Sequence, residues 1–154
     1  MTDCVAKSEF VERVGGSRQR WDAAIARIPP ADGLIPGFSG DWSLKDVIAH
    51  ITWYDREMLN VLERREFAGS ELWEMPTDQR NAAIRQLAKE GTLAEKIAEA
   101  GQVFERLMEL IGSLSDTDLN DPTSFPGMPL EWKPWQVLAS NTYEHYEEHL
   151  AQLD

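Results

Sequence analysis

One cysteine, Cys4, in 154 residues rules out an intramolecular disulfide, and its place near the chain end makes it a poor nucleophile candidate. No apolar run approaches the roughly 18–20 residues needed to cross a bilayer. No run of alternating β-branched residues marks a strand. The opening stretch, Met1 to Glu9, lacks the basic flank and apolar segment of a secretory signal, so with the single cysteine it points to the cytoplasm. Positive charge is also scarce: 15 Lys and Arg stand against 27 Asp and Glu, a net charge of −12. Nucleic acid and anionic membrane surfaces are repelled by such a chain on average. No local basic cluster reverses this, because Arg64-Arg65 is followed by Glu66, and Arg18 and Arg20 stand among acidic neighbours. Neither nucleic acid nor membrane is an expected partner. Repeats, low-complexity segments and interdomain linkers are absent too. Residues 1–154 are therefore expected to form a single domain, long enough to close a core unaided.

What is present reads as helices and loops. The first helix is expected over Ser8 to Ile28, with Phe10, Val14, Ser17, Trp21, Ala24 and Ile28 on its inner face and a weak point at Gly15-Gly16. Ser43 with Asp46 resembles a capping box that opens a second helix running to about Arg65. A long connection carries a short helix, capped by Thr77 and ended near Lys89 by Gly91. Thr92 with Glu95 opens the clearest helix of the chain. Its residues Leu93, Ile97, Ala100, Phe104, Leu107, Ile111 and Leu114 alternate steps of four and three, the seam of a helix packed along a partner. One extra turn at Ser115 to Asn120 and a Pro-punctuated loop lead to a last helix from Pro134 to about Leu153. The predicted fold class is all-α: a four-helix bundle with a long connection and a short extra helix between helices two and three.

The chain has three histidines, His50, His145 and His149. Histidine is the commonest protein ligand for zinc, nickel and related ions. His145 and His149 are four residues apart, one turn on the same side of a helix, close enough to grip one ion. At about 100° per residue, Trp135, Leu138, Ala139, Thr142, Tyr143, Tyr146, Leu150 and Leu153 form one arc of the last helix, and both histidines fall within or beside it. On the second helix the inner face is Leu44, Val47, Ile48, Ile51, Tyr54, Met58, Leu59 and Leu62, with His50 at its border. Three neutral imidazoles in a poorly solvated groove need partners, and one metal ion serves all three. Two other readings stay open. The histidines are boundary residues bonded to carboxylates such as Asp46, Glu57 or Glu148, or only the His145–His149 pair matters.

Asp41-Trp42-Ser43-Leu44-Lys45-Asp46-Val47-Ile48-Ala49-His50-Ile51 resembles the second-helix signature of the DinB-like bundle superfamily. Asn141-Thr142-Tyr143-Glu144-His145-Tyr146-Glu147-Glu148-His149 is similar to its final-helix signature. That family includes DNA-damage-inducible DinB proteins, bacillithiol transferases and the N-terminal part of mycothiol-dependent maleylpyruvate isomerase. The resemblance covers essentially the whole chain and carries the family's metal triad over to His50, His145 and His149. It implies a divalent transition metal, zinc or nickel, and a small-molecule substrate that includes a low-molecular-weight thiol. Relatives are often dimers, so a homodimer is also implied.

The expected function is therefore a metal-dependent enzyme that transfers a low-molecular-weight thiol to an electrophile or carries out metal-assisted hydrolysis. The alternative is a non-catalytic metal- or ligand-binding protein of stress protection. No catalytic base can be assigned from the sequence. Asp46 and Glu57 are candidates to orient an imidazole or act as base. Trp53, Tyr54 and Asn81 are candidate substrate-binding residues, each with a bland counterpart in packing or capping.

Overall fold

The computed structural model describes residues 4–153, so Met1 to Asp3 of the opening stretch and Asp154 lie outside the described residues. Among the described residues seven α-helices follow one another: α1 (Lys7–Ala26), α2 (Leu44–Arg64), α3 (Thr77–Leu87), α4 (Leu93–Ser113), α5 (Asp116–Asn120), α6 (Pro134–Asn141) and α7 (Tyr143–Ala151). No strand occurs among the described residues, only an isolated bridge between Ser39 and Trp42. The fold is all-helical, as the periodicity predicts. Among the described residues no helix is long and apolar enough to cross a membrane.

Local chemistry sets most of the helix starts. Ser43 accepts from the Asp46 N–H while the Asp46 carboxylate accepts from the Ser43 N–H, so both free donors are satisfied. Ser115 and Asp118 repeat the arrangement at α5. Thr92 makes half of its expected box: it accepts from the Glu95 N–H, but its hydroxyl donates to the Glu95 carboxylate instead of leaving that group to the Thr92 N–H. The expected cap at Thr77 is displaced by one residue. Pro76 occupies the cap, and Thr77 is the first helical residue, its hydroxyl accepting from Arg80. Gly15-Gly16 lies inside an uninterrupted α1.

The last helix differs from its prediction. It is broken at Thr142 (φ −124°, ψ −101°) into α6 and α7. Two side chains take up carbonyls of α6 at the break: the Thr142 hydroxyl donates to Leu138 O (2.6 Å) and the Asn141 amide to Val137 O (2.9 Å). At Leu138 the hydroxyl stands in for the Thr142 N–H, which turns to Ala139 O.

One contiguous core draws on α1, α2, α4, α5, α6 and α7. α2 lies along α4, and α1 along α7. All eight residues predicted for the inner face of α2 are buried. On α4 the seam turns: Ala100, Val103, Leu107, Ile111 and Leu114 are buried, Phe104 is half-buried, and Ile97 is 45% exposed. A 3.5-residue pattern on a 3.6-residue helix rotates by about 20° per heptad, which brings Val103 in and carries Ile97 out.

Inside this core lies an ionic cluster. Arg18 on α1 (3% exposed) donates to Asp55 on α2 (0% exposed) at 2.9 Å, and the Tyr146 hydroxyl on α7 donates to the other carboxylate oxygen. Arg18 also donates to Ala100 O and Asp22, and its guanidinium lies over the Phe104 ring at 4.5 Å. Three helices are thereby fixed in rotation about one buried charge pair. Asp55 stands five residues beyond His50, and Tyr146 is next to His145.

Candidate metal centre

The three histidines converge through their Nε2 atoms. His50 Nε2 lies 3.0 Å from His145 Nε2, which lies 3.0 Å from His149 Nε2. The ligand atoms all lie within 4.8 Å of one another, close enough to hold one metal ion. Nitrogens of two imidazoles on a single zinc-sized ion, at about 2.0–2.1 Å each, sit roughly 2.8–3.4 Å apart for bond angles between about 90° and 110°. The donor set therefore fits a divalent transition metal. α2 supplies His50 from its second turn, where Ser43 and Asp46 fix the helix start, and α7 supplies the other two at one-turn spacing.

Hydrogen bonding alone serves this cluster badly. Each imidazole nitrogen carries either a proton or a lone pair. His145 Nε2 has two nitrogens at 3.0 Å and can at best share one proton between them. In that tautomer its Nδ1 needs a donor, yet Nδ1 of His145 and of His50 are both buried without a partner among the described residues. His149 is different: its Nδ1 faces the Gln152 side-chain oxygen at 3.1 Å, which also accepts from the Ser39 hydroxyl at 3.1 Å. With Nδ1–H donating there, His149 presents a lone pair at Nε2. Burial, with His149 and Arg80 nearby, holds His50 at about 3. Burial and the two neighbouring imidazoles hold His145 at about 2, and burial lowers His149 as well. All three rings are neutral near pH 7, the form in which imidazole binds metal.

The cluster opens into a cavity of about 470 Å³ whose walls include Trp42, Tyr54, Thr77, Asn81, Asn141 and Glu148. Tyr54 and Asn81, both read from the sequence as substrate-binding candidates, are brought together with the histidines. The Tyr54 hydroxyl donates to Asn81 Oδ1 (2.8 Å) and accepts from Arg80 Nε (3.1 Å), and its ring stands edge-on to His50 and His145. Trp53 is placed outside this cavity. It packs on Tyr54 and Trp73 and lines a smaller one with Ala49, Thr52, Arg56 and Ile84.

Neither carboxylate considered for orienting an imidazole reaches one. Asp46 is taken up by its capping box and Arg85. Glu57 is buried and accepts from the Ser70 N–H and Trp73 Nε1. Sequence reasoning missed Trp42, whose ring stands edge-on to His50, and Gln152. It also missed the Arg18–Asp55–Tyr146 cluster. That one left a signal, since Asp55 falls between Ile51 and Met58 on the apolar face of α2, and Arg18 between Val14 and Trp21 on that of α1.

Comparison with known proteins extends the reading. No curated protein shows significant sequence similarity. Among solved structures, one from Streptococcus pneumoniae is similar with a TM-score of 0.82 at 12% identity, over 99% of this chain and 91% of its own. The colibactin self-resistance protein ClbS, in complex with a dsDNA, has a TM-score of 0.82 at 12% identity, over 99% and 95%. The sibling lethal factor precursor DfsB has a TM-score of 0.82 at 14% identity, over 98% and 94%. At such identities these likenesses show the shared fold. The family model of the DinB superfamily matches residues 11–153, nearly the whole sequence, and the chain belongs to that superfamily.

Proposed function

We propose that this protein is a metal-dependent enzyme that activates a low-molecular-weight thiol for transfer to an electrophile, with His50, His145 and His149 holding a zinc or nickel ion. The observation that carries this reading is the convergence of three neutral imidazoles, on two helices, at one end of an open polar cavity. An ion held by three protein ligands keeps open positions and supplies Lewis acidity, making a thiol or a water nucleophilic near neutral pH. The chain's own residues do the rest. Gln152 fixes the ring orientation of His149, Tyr54 and Trp42 wall the reacting end, and Asn81 holds the Tyr54 hydroxyl. Thiol transfer rests on the family resemblance, and hydrolysis at the same centre is the next chemistry in line.

A second reading, stoichiometric protection without turnover, is favoured by the fold shared with a self-resistance protein. That neighbour was crystallised with DNA, whereas a net charge of −12 sets this chain against a polyanionic ligand.

Elemental analysis of the purified protein tests the centre. About one equivalent of zinc or nickel is expected, lost in His149→Ala; metal content indifferent to that substitution refutes the assignment. With metal bound, a thiol and an alkylating electrophile should be consumed over many turnovers, and chelation or His50→Ala should abolish the rate. One equivalent consumed and no more selects protection instead.

A further inference from the structure

A second cavity, about 700 Å³, lies between α2, the loop spanning residues 67–74 and one face of α6. Met58, Val61, Phe67, Trp73 and Val137 give it apolar walls, and Trp132, 44% exposed, stands at its side. It adjoins the histidine cavity through two shared features. Ser140 and Asn141 line both. Trp73, a wall of the larger cavity, packs edge-on against Tyr54, a wall of the other, with ring centroids 5.5 Å apart.

The groove has a built wall. The buried Glu57 carboxylate accepts from the Ser70 N–H and from Trp73 Nε1, both at 2.7 Å, and so pins the loop and its indole ring. Gly69 is what permits this approach: a Cβ there would stand 2.7 Å from the Trp73 ring and 3.1 Å from the Glu57 carboxylate. At the saddle, the Asn141 amide nitrogen is spent on Val137 O, which leaves its oxygen to accept from a ligand lying across both cavities.

We propose that the substrate is bipartite, with its reacting polar end in the histidine cavity and an apolar, ring-bearing tail in the 700 Å³ groove. This rests on the metal-centre reading above and adds the class of molecule to it. A small hydrophilic electrophile would leave the groove unused. An amphiphile with an aromatic or alkyl tail fills it against Trp73, Phe67 and Trp132.

Hydroxamates, whose heads chelate zinc, separate the two layers of the argument. Calorimetric titration of the zinc-loaded protein should show acetohydroxamate binding and a steady gain along the series to octanohydroxamate. Each methylene moved out of water is worth roughly three- to fourfold, so a gain of at least about hundredfold is expected. Gln136→Trp fills the groove from an exposed helix position, and Trp132→Ala removes a ring from its side. Both should sharply reduce the chain-length gain and leave acetohydroxamate binding unchanged. If acetohydroxamate itself does not bind, the metal-centre reading falls and takes this proposal with it. If acetohydroxamate binds but longer chains bind no tighter, or the gain survives in Gln136→Trp, the groove assignment alone is overturned.

Discussion

Replacing Arg18 by Met keeps an unbranched side chain and removes the guanidinium, which lies over the Phe104 and Tyr146 rings and whose charge offsets Asp55. Asp55 is fully buried, so its carboxylate would be left with the Tyr146 hydroxyl alone. Breaking a buried pair from one side costs about 3–5 kcal/mol. A domain of this size has a total of roughly 5–15 kcal/mol, so the variant should lose a large fraction of its stability. The double variant Arg18→Met/Asp55→Leu removes both charges and should recover most of the loss. Urea unfolding followed by circular dichroism measures both differences. The pH dependence adds an independent check. Burial raises the Asp55 carboxyl to about 6 from an ordinary 3.8, while Arg18 pulls it down. The native state then binds more protons than the unfolded chain between those values, so this group's contribution falls as pH rises through the window. Without Arg18 the window extends upward, and the penalty for Arg18→Met should be smaller at pH 5 than at pH 7. A penalty below about 1 kcal/mol, or a double variant no more stable than the single one, refutes the reasoning.

Gln152→Ala removes the group that fixes the His149 ring, and metal affinity should fall about 10- to 100-fold with little change in urea midpoint. A competition titration with a chromophoric chelator checks this, and unchanged affinity would show that His149 needs no such anchor. In metal-stripped protein, His50 is held at about 3 against an ordinary 6.5, so the unfolded chain binds the extra proton between those values. Stability should be complete above about pH 6.5 and fall on acidification, by roughly 2 kcal/mol from this group at pH 5. Urea midpoints at both pH values, in wild type and His50→Gln, reveal whether the slope belongs to this ring.

Helix identity was legible because burial follows periodicity: Leu44 to Leu62 on α2 were assigned to their face residue by residue. The three histidines were legible for the same reason, since spacing and facing require no knowledge of the partner helix. What spacing cannot carry is contact between elements. Trp42 reaches His50 from the loop before α2, whereas Gln152 reaches His149 across a single i,i+3 turn, a contact that spacing alone permits. Glu57 is a candidate from its spacing to orient an imidazole or act as base, but a loop thirteen residues on folds back to bury it. The break at Thr142 was hidden because a Thr and an Asn lower helix propensity only slightly and Thr142 continues the inner arc of the pattern. Both side chains bond carbonyls of α6 four residues back, a local contact that the hydrophobic pattern does not register.

These unread features together explain why the imidazoles meet. After the break, α7 no longer inherits its rotation from α6, so the direction of His145 and His149 must be set by what α7 packs against. Tyr146 provides that reference: lying between the two histidines in sequence, it donates to Asp55, and Asp55 shares α2 with His50. The Tyr146–Asp55 hydrogen bond thus links the rotation of the two ligand-bearing helices directly, with Arg18 of α1 holding the Asp55 carboxylate ionised and in place. An apolar replacement of the pair fills the same space without specifying that rotation. Stability and metal affinity should therefore separate in the double variant Arg18→Met/Asp55→Leu: unfolding near wild type, with metal bound more weakly.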